Sequence, residues 1–304
     1  MPAKPSAKLR KRLYDSFVVG VCLAPSTVII LVFTYIAFIF CVYLSFNNWN
    51  MLKPMQWVGL ENYITAFTSP EFYESLKVTF IYVLVAVPAC VIIGLLIGLL
   101  LDWITFAKSL FRLLLFLPVI ISMVVAAVVW RWIFDPNVGI VNQVLYSMGF
   151  KSSHWNLWWQ DPAGGAMVSV LVVGIWKRVG YNGVLFLGGL KNISDTYYEA
   201  ATLDGATAWQ KFTKITLPLL SPTTFMVTVM QFFAAFKVIE SVLVMMRASP
   251  ARQSMQVLVL YIYENAFSYL KMGYASAISV VLFGLIMFFT IIQLVLEKRM
   301  VYYQ

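Results

Sequence analysis

The sequence predicts an all-α polytopic membrane protein with six transmembrane helices and both termini in the cytoplasm. Of its 304 residues, 61% are hydrophobic and only 12% are charged, whereas a soluble domain carries roughly 25% charged residues. Six stretches are predominantly apolar over the length of about 20 residues that a membrane-spanning helix requires. The predicted spans are residues 18–46, 75–101, 110–134, 166–190, 219–243 and 274–296.

The basic N-terminal segment, MPAKPSAKLRKR, is similar to the start of a signal peptide. The apolar run that follows, from about Phe17 to Phe46, exceeds the roughly 7–15 residues of a signal-peptide core, and no small-x-small cleavage site closes it. We therefore expect a cytoplasmic tail over residues 1–16 and an uncleaved first span. The membrane domain is predicted over residues 17–297, followed by a second cytoplasmic tail over residues 298–304.

The orientation follows from the distribution of basic residues, because six spans place both termini on one side. That side holds twelve: Lys4, Lys8, Arg10, Lys11, Arg12, Lys108, Arg112, Lys191, Lys211, Lys214, Lys298 and Arg299. The opposite side holds seven: Lys53, Lys77, Arg131, Lys151, Arg247, Arg252 and Lys271. The positive-inside rule places the richer side in the cytoplasm. The net charge of +9 therefore reflects topology, since a nucleic-acid interface needs a water-exposed basic face.

The two long outer loops, residues 47–63 and 134–165, are rich in tryptophan. These tryptophans suit either the aromatic belt of a membrane interface or contacts with a docking partner. They are Trp49, Trp57, Trp155, Trp158 and Trp159. Within the second span, Gly94 and Gly98 form a GxxxG pattern, which predicts the close approach of another helix.

No catalytic or metal-binding residues are predicted. His154 is the single histidine, and the three cysteines lie in apolar runs, so neither a metal cluster nor a Cys–His nucleophile pair is indicated. The chain also lacks the GxxxxGK[ST] pattern that cradles nucleotide phosphates. We expect a chain that is not an enzyme and that holds no cofactor.

The loop after the fourth span, residues 191–218, is polar and strongly patterned. Thr196 and Glu199 have the spacing of a capping box and predict the start of a short helix. Gly205 ends this helix, a second short helix follows, and Pro218 marks the entry to the fifth span. Such a helix–Gly–helix element with an apolar face suits docking into a groove on another protein.

This loop resembles the EAA loop of the membrane subunits of bacterial binding-protein-dependent ABC importers. The matching residues are Glu199, Ala200, Ala201, Asp204, Gly205, Ile215, Leu217 and Pro218. Weaker matches to the carbohydrate-uptake branch, the MalF/UgpA-like permeases, follow in the right order along the chain. They are Arg112, Leu117, Pro118, Trp130, the DPNVGIVNQVL run, Trp176, Gly180, Tyr181, Asn182, Gly188, Gly189, Leu190 and Ile193.

The resemblance implies the type I ABC importer permease fold in the bacterial inner membrane. It also implies that the EAA loop (residues 191–218) couples transport to a separate ATPase, which would bind ATP and Mg. A second related permease would supply the other half of the pathway, and a periplasmic or surface-tethered solute-binding protein would deliver a saccharide. Partners thus include lipid and other proteins, and no nucleic acid.

Three cations fall within predicted spans away from the span ends: Lys177, Arg178 and Lys237. A cation at the centre of a span costs about 2.5–3.5 kcal/mol on insertion scales, so each needs a partner or a water-filled path. Lys177 and Arg178 either face the solute or are held structurally, and glycines around them indicate a broken or bent span. Lys237 is assigned to the substrate pathway, and its spacing from Glu240 also predicts an i,i+3 ion pair.

Trp176, Tyr181 and Asn182 offer an aromatic face and polar groups to a sugar, so we assign them to the pathway. Gln231, in the middle of the fifth span, either binds hydroxyls or bridges helices. The substrate is expected to be a sugar or oligosaccharide, with an anionic saccharide or a sugar or glycerol phosphate as the alternative. Two other classes of protein are considered: a secondary transporter and a membrane enzyme. A secondary transporter needs internal repeats and intramembrane carboxylates, and a membrane enzyme needs a catalytic site.

Overall fold

The computed structural model describes residues 7–104, 106–149, 164–247 and 249–300, with no side-chain description for residues 7–14, 16, 17, 299 and 300. His154, Trp155, Trp158 and Trp159 lie outside the described residues. The α-helices are α1 (Ala7–Ile30), α2 (Ala37–Ser45), α3 (Glu61–Thr68), α4 (Pro70–Trp103), α5 (Lys108–Ile120), α6 (Met123–Ile133), α7 (Ile140–Ser147), α8 (Gly165–Lys191), α9 (Asp195–Leu203), α10 (Ala208–Lys211), α11 (Leu217–Leu219), α12 (Ser221–Phe236), α13 (Glu240–Met246), α14 (Leu258–Tyr263) and α15 (Met272–Met300).

Short π-helical segments and one 3₁₀ turn connect several of these helices. The π-helical segments are Leu31–Ile36, Phe212–Thr216 and Glu264–Ser268, and the 3₁₀ turn is Gln253–Met255. A two-stranded antiparallel sheet pairs β1 (Asn47–Asn48) with β2 (Gln56–Trp57). By contacts the chain divides into two compact units, one of residues up to 66 with 265–280 and one of residues 67–264 with the remainder.

The smaller unit joins α1 and α2 to the β hairpin. Asn62 ties the hairpin to the end of α2 by donating to the backbone carbonyls of Ser45 and Asn47. The ring of Trp57 stacks on that of Phe46 at 5.5 Å, while most of its surface stays exposed. The start of α15 is fixed here as well, because the Met272 amide donates to the Trp49 carbonyl.

The larger unit is built on α8, which packs along α4 and also contacts α5 and α12. Glycine allows the helices to approach closely. A Cβ added at Gly94 would lie 2.6 Å from the Asn182 Cβ, and one at Gly98 would lie 2.7 Å from the Phe186 Cβ. The GxxxG prediction of close helix packing is therefore confirmed, with α8 as the partner.

Four helical segments are long and apolar enough to cross a membrane, or up to six if two bent helix pairs each count as one span. The four are Val18–Ser45, Pro70–Trp103, Gly165–Lys191 and Met272–Lys298. The first bent pair, α5 with α6, turns by 99°, and the second, Ala208–Leu219 with Ser221–Phe236, turns by 61°.

The interruptions do not fall where the sequence predicted them. The expectation of a broken segment around Lys177 and Arg178 is wrong, because α8 is one continuous helix of 27 residues. Its glycines serve packing instead: Gly180 faces the backbone carbonyl of Leu115 so closely that a Cβ would collide with it. One interruption lies in residues 110–134, where Ile121 and Ser122 adopt extended backbone angles. Another lies in residues 219–243, where α12 ends at Phe236 and α13 begins at Glu240.

This packing predicts that a glycine-to-alanine change has opposite effects on the free energy of unfolding at two positions of α8. Gly180→Ala should lower the free energy of unfolding by about 1–3 kcal/mol through overpacking against α5. Gly188→Ala is the matched control, because a Cβ there meets no atom within 4 Å, and alanine favours a helix over glycine by about 1 kcal/mol. Thermal unfolding of both variants in detergent measures the difference, and equal shifts would contradict a steric requirement at Gly180.

Candidate functional site

A cavity of about 330 Å³ opens beside the middle of α8. Its walls are supplied by α8, by the junction of α5 and α6, and by the junction of α12 and α13. The lining residues are Val119, Met123, Lys177, Arg178, Tyr181, Gln231, Ala234, Lys237, Val238, Ile239, Glu240 and Ser241. Four of them carry charge, so the cavity differs sharply from the apolar helices around it.

Lys177 is bound to the carboxyl end of α5. Its Nζ donates to the carbonyl oxygens of Pro118 (3.1 Å) and Val119 (3.5 Å), and also to that of Ile121. The last carbonyls of a helix have no partner within the helix, and the end of a helix carries about half a negative charge. Lys177 therefore satisfies and neutralises the interrupted end of α5.

Arg178 makes an equivalent contact with a different helix. Its Nη2 donates to the carbonyl oxygen of Ala234 at 3.3 Å, and Ala234 lies in the last turn of α12, which ends at Phe236. Adjacent residues of a helix point about 100° apart, so the two neighbouring cations reach the ends of two different helices. Both cations therefore make structural contacts with helix ends while they also line the cavity.

The predicted ion pair between Lys237 and Glu240 is wrong for the part of the chain that the structure describes. The i,i+3 spacing brings side chains together only on a continuous helix. Here α12 ends at Phe236 and α13 begins at Glu240. Lys237 instead lies over the ring of Phe233, with its Nζ 6.0 Å from the centroid.

The remaining predicted pathway residues separate into two groups. Tyr181 and Gln231 line the cavity. Asn182 is fully buried between α4 and α8, where it donates to the Cys90 carbonyl at 3.2 Å and accepts from Gln231 Nε2 at 2.9 Å. Trp176 is not among the cavity-lining residues, and its ring meets that of Trp130 edge to face at 5.6 Å.

Gln231 bridges two helices, which is one of the two roles that its sequence position allowed. Its amide nitrogen bridges α12 to α8 through Asn182, while its buried Oε1 accepts no hydrogen bond from the described residues. The sequence analysis missed Glu240 and Ser241 as cavity residues. Two features of the sequence could have indicated this cavity. Pro118 lies near the end of α5, and charged residues follow Phe236 at the end of α12.

The EAA loop has the predicted helix–Gly–helix form, although its cap differs. Ser194, and not Thr196, is the N-cap of α9, because its hydroxyl accepts from the Thr196 amide. The capping box occurs one helix later, between Thr207 and Gln210. Gly205 separates the two helices with φ of +74°.

The EAA loop is fixed to the ends of two long helices. The cluster of Leu190, Ile193 and Leu220 is buried, and Tyr198 of α9 packs against it. The Tyr198 hydroxyl also lies 2.9 Å from the Thr216 hydroxyl. At the base of the loop, Lys191 pairs with Asp102 of α4 at 2.7 Å.

The outer surface of the EAA loop is open and partly apolar. Leu203 is 90% exposed and Trp209 is 71% exposed. Among the residues matched to the EAA pattern, Glu199, Ala200, Asp204, Gly205 and Leu217 are exposed, while Ala201, Ile215 and Pro218 are half-buried.

Among the described residues, no group of three or more His, Cys, Asp or Glu side chains is placed to hold a metal ion. The site therefore consists of a charged cavity between interrupted helices and, at the end of α8, an exposed helix–Gly–helix element.

Comparison with known proteins gives one family match, to the model described as "Binding-protein-dependent transport system inner membrane component", over residues 63–302. The probable ABC transporter permease protein YesP of Bacillus subtilis is 34% identical over 304 residues, covering 99% of this chain and 96% of that protein. The sn-glycerol-3-phosphate transport system permease protein UgpA of Pectobacterium atrosepticum is 30% identical over 253 residues, covering 82% of this chain and 83% of its own length.

A similar fold occurs in the crystal structure of a bacterial alginate ABC transporter in complex with an alginate pentasaccharide-bound periplasmic protein. One of its chains aligns with a TM-score of 0.84 at 21% identity, covering 96% of this chain and 98% of that chain. At this identity the likeness establishes the fold: that of the ABC importer permease chain.

The carbonyl contacts of Lys177 predict a structural role that Lys237 does not share. Lys177→Met should lower the free energy of unfolding by about 1–3 kcal/mol, because it leaves the carbonyl acceptors at the end of α5 unsatisfied. Lys237→Met makes the same change in charge without removing a hydrogen bond to a helix end, so it should leave stability nearly unchanged. Thermal unfolding of the purified protein without ligand compares the two; equal destabilisation would argue against capping by Lys177.

Proposed function

The chain belongs to the family of inner membrane components of binding-protein-dependent transport systems, and we propose that it forms half of the translocation pathway of an ATP-driven importer for a sugar or glycerol phosphate. The observation that carries the proposal is the cavity between two helix interruptions, one between α5 and α6 and one between α12 and α13. Interrupted helices at the middle of a membrane are the usual site of substrate binding in transporters. Because this wall belongs to one chain, a second related permease would close the pathway.

The substrate class is inferred from the cavity and from the relatives. Tyr181 offers an aromatic surface to the apolar face of a sugar ring, and Gln231 offers an amide to hydroxyl groups. A relative with 30% identity is named as a permease for sn-glycerol-3-phosphate, and the similar solved fold comes from a transporter complex with a saccharide-bound periplasmic protein.

Energy would come from a partner ATPase dimer that binds ATP and Mg. The EAA loop supplies the contact surface for this ATPase. Leu203 and Trp209 of the loop are exposed, while Tyr198 packs against the buried cluster at the ends of the long helices. Glu199, Asp204 and Gly205 lie on the same exposed element. Insertion of such a short amphipathic element into a groove is a common mode of protein recognition.

The remaining parts of the proposal concern placement and delivery. The excess of basic residues around the EAA loop and the N-terminal segment favours a cytoplasmic location for both termini. The chain would then cross the inner membrane several times, with the EAA loop facing the ATPase. A periplasmic or surface-tethered solute-binding protein would deliver the substrate to the opposite face.

Reconstitution of the complete transporter in proteoliposomes tests this function. Uptake of the ligand presented by the solute-binding protein should require ATP on the side of the membrane that carries the ATPase. It should stop when the ATPase carries a hydrolysis-inactivating substitution. Continued uptake with that inactive ATPase, or uptake driven by an ion gradient alone, would favour a secondary transporter instead.

The backbone at Gly205 provides a sharper test of the coupling role. Its φ of +74° lies in the left-handed region, which asparagine tolerates and β-branched residues do not. Gly205→Val should strain the loop by about 1–3 kcal/mol and lower ATP-driven uptake by about tenfold. Gly205→Asn is the matched control and should retain most activity, since a side chain at this position meets no atom within 4 Å.

Glu199→Lys complements this test, because it reverses the charge of an exposed residue of α9 without altering the backbone. Co-purification of the ATPase, membrane insertion and uptake are measured for all three variants. Normal ATPase binding and normal uptake in both Gly205→Val and Glu199→Lys would contradict the assignment of the EAA loop as the coupling element.

A further inference from the structure

The charged residues of the cavity have unequal roles. Lys177 and Arg178 each donate hydrogen bonds to backbone carbonyls at the end of a helix. Lys237 also lines the cavity, but among the described residues it forms no side-chain hydrogen bond or ion pair, and its nearest recorded partner is the face of the Phe233 ring. Of the two lysines, Lys237 is therefore the one whose ammonium donors are all available for a ligand, whereas Lys177 donates to three carbonyls and Arg178 is held by the Ala234 carbonyl.

The balance of charge in the cavity favours a ligand with one negative charge. Three cations face one carboxylate, that of Glu240. The carboxyl ends of α5 and α12 each contribute roughly half a negative charge at the positions of Lys177 and Arg178. The sum leaves about one uncompensated positive charge, and Lys237, which follows the end of α12, is the cation that donates to no helix-end carbonyl among the described residues.

Gln231 supplies the second recognition group. Its side chain is 6% exposed, its Nε2 is committed to Asn182, and its Oε1 accepts no hydrogen bond from the described residues. A buried acceptor without a donor costs about 1–3 kcal/mol, and a ligand hydroxyl at the cavity wall would remove that cost. The fixed Asn182 contact orients the amide, so the unpartnered atom is the oxygen and the ligand group must be a donor.

We propose that the cavity selects a hydroxyl-bearing monoanion, an acidic sugar, and that Lys237 recognises its anionic group while Gln231 accepts from its hydroxyl. Lys177 and Arg178 are then positioning residues that hold the cavity open by fixing two helix ends. This inference rests on the proposed function, since it assigns the substrate class of the same cavity. It goes further by separating the cation that sets charge selectivity from the two that maintain structure.

The test uses the complete transporter in lipid nanodiscs and the matched probes glucuronate and glucose, which differ in one carboxylate. Thermal stabilisation is measured against ligand concentration at constant ionic strength. For the wild type, glucuronate should stabilise the complex at lower concentration than glucose. A charge-assisted hydrogen bond contributes about 1.5–3 kcal/mol, so Lys237→Gln should weaken the apparent affinity for glucuronate by roughly tenfold or more and leave that for glucose unchanged.

Three further variants complete the design. Lys237→Arg should keep the preference for glucuronate, because it keeps the charge. Lys53→Gln removes an exposed cation that does not line the cavity and should alter neither affinity. Gln231→Leu should weaken the binding of both probes, because both carry hydroxyls.

Equal stabilisation of the wild type by glucuronate and glucose, including no stabilisation by either, would overturn the proposal. An equal loss for both probes in Lys237→Gln would overturn the assignment of Lys237 and indicate a structural role. ATP-driven uptake of the natural ligand, measured in parallel, separates the two levels of inference. If uptake still requires ATP hydrolysis while charge selectivity is absent, the proposed function stands and only the substrate class fails.

Discussion

The cavity depends on one constraint: the carbonyl groups in the last turn of a helix have no partner within that helix and need donors from elsewhere. Each such group costs several kcal/mol in hydrocarbon. The helices α5 and α12 both end beside α8, and Lys177 and Arg178 donate to their last carbonyls. These contacts explain why two adjacent cations are tolerated in the middle of an apolar helix, since each cation and each helix end offsets the cost of burying the other.

Close packing around α8 makes this arrangement possible. Gly180 brings the backbone of α5 against α8, one helical turn from Lys177, so the ammonium group reaches the end of α5 without a long extension. Gly94 and Gly98 bring α4 against the opposite part of the same helix. In the sequence, the glycines of α8 suggested a broken helix. In the structure they allow an unbroken helix to lie between close neighbours, and the break lies between α5 and α6 instead.

Sequence alone was sufficient for the membrane class, the family resemblance and the helix–Gly–helix form of the EAA loop, because these follow from composition and local motifs. It was insufficient for the partners of Lys177 and Lys237. Lys177 contacts carbonyls nearly 60 positions earlier in the chain, and no local pattern reports on backbone groups at that separation. The Lys237–Glu240 spacing was misleading because it assumes a continuous helix, and only the tertiary packing of α12 and α13 determines that α12 ends at Phe236.

The same helix links the cavity to the EAA loop. From Lys177 to Lys191, α8 continues without interruption for 14 residues, about 21 Å at 1.5 Å per residue. At its end, Lys191 pairs with Asp102 of α4, and the cluster around Leu190 anchors α9. A force applied to the exposed face of the EAA loop would therefore reach α4 and α8 together. From α8 it would pass to α5 through the packing at Gly180 and the Lys177 contacts. It would pass to α12 through the Gln231–Asn182 and Arg178–Ala234 hydrogen bonds. Because Lys177, Arg178 and Gln231 also line the cavity, the hydrogen bonds that join α5 and α12 to α8 are made by side chains of the cavity wall.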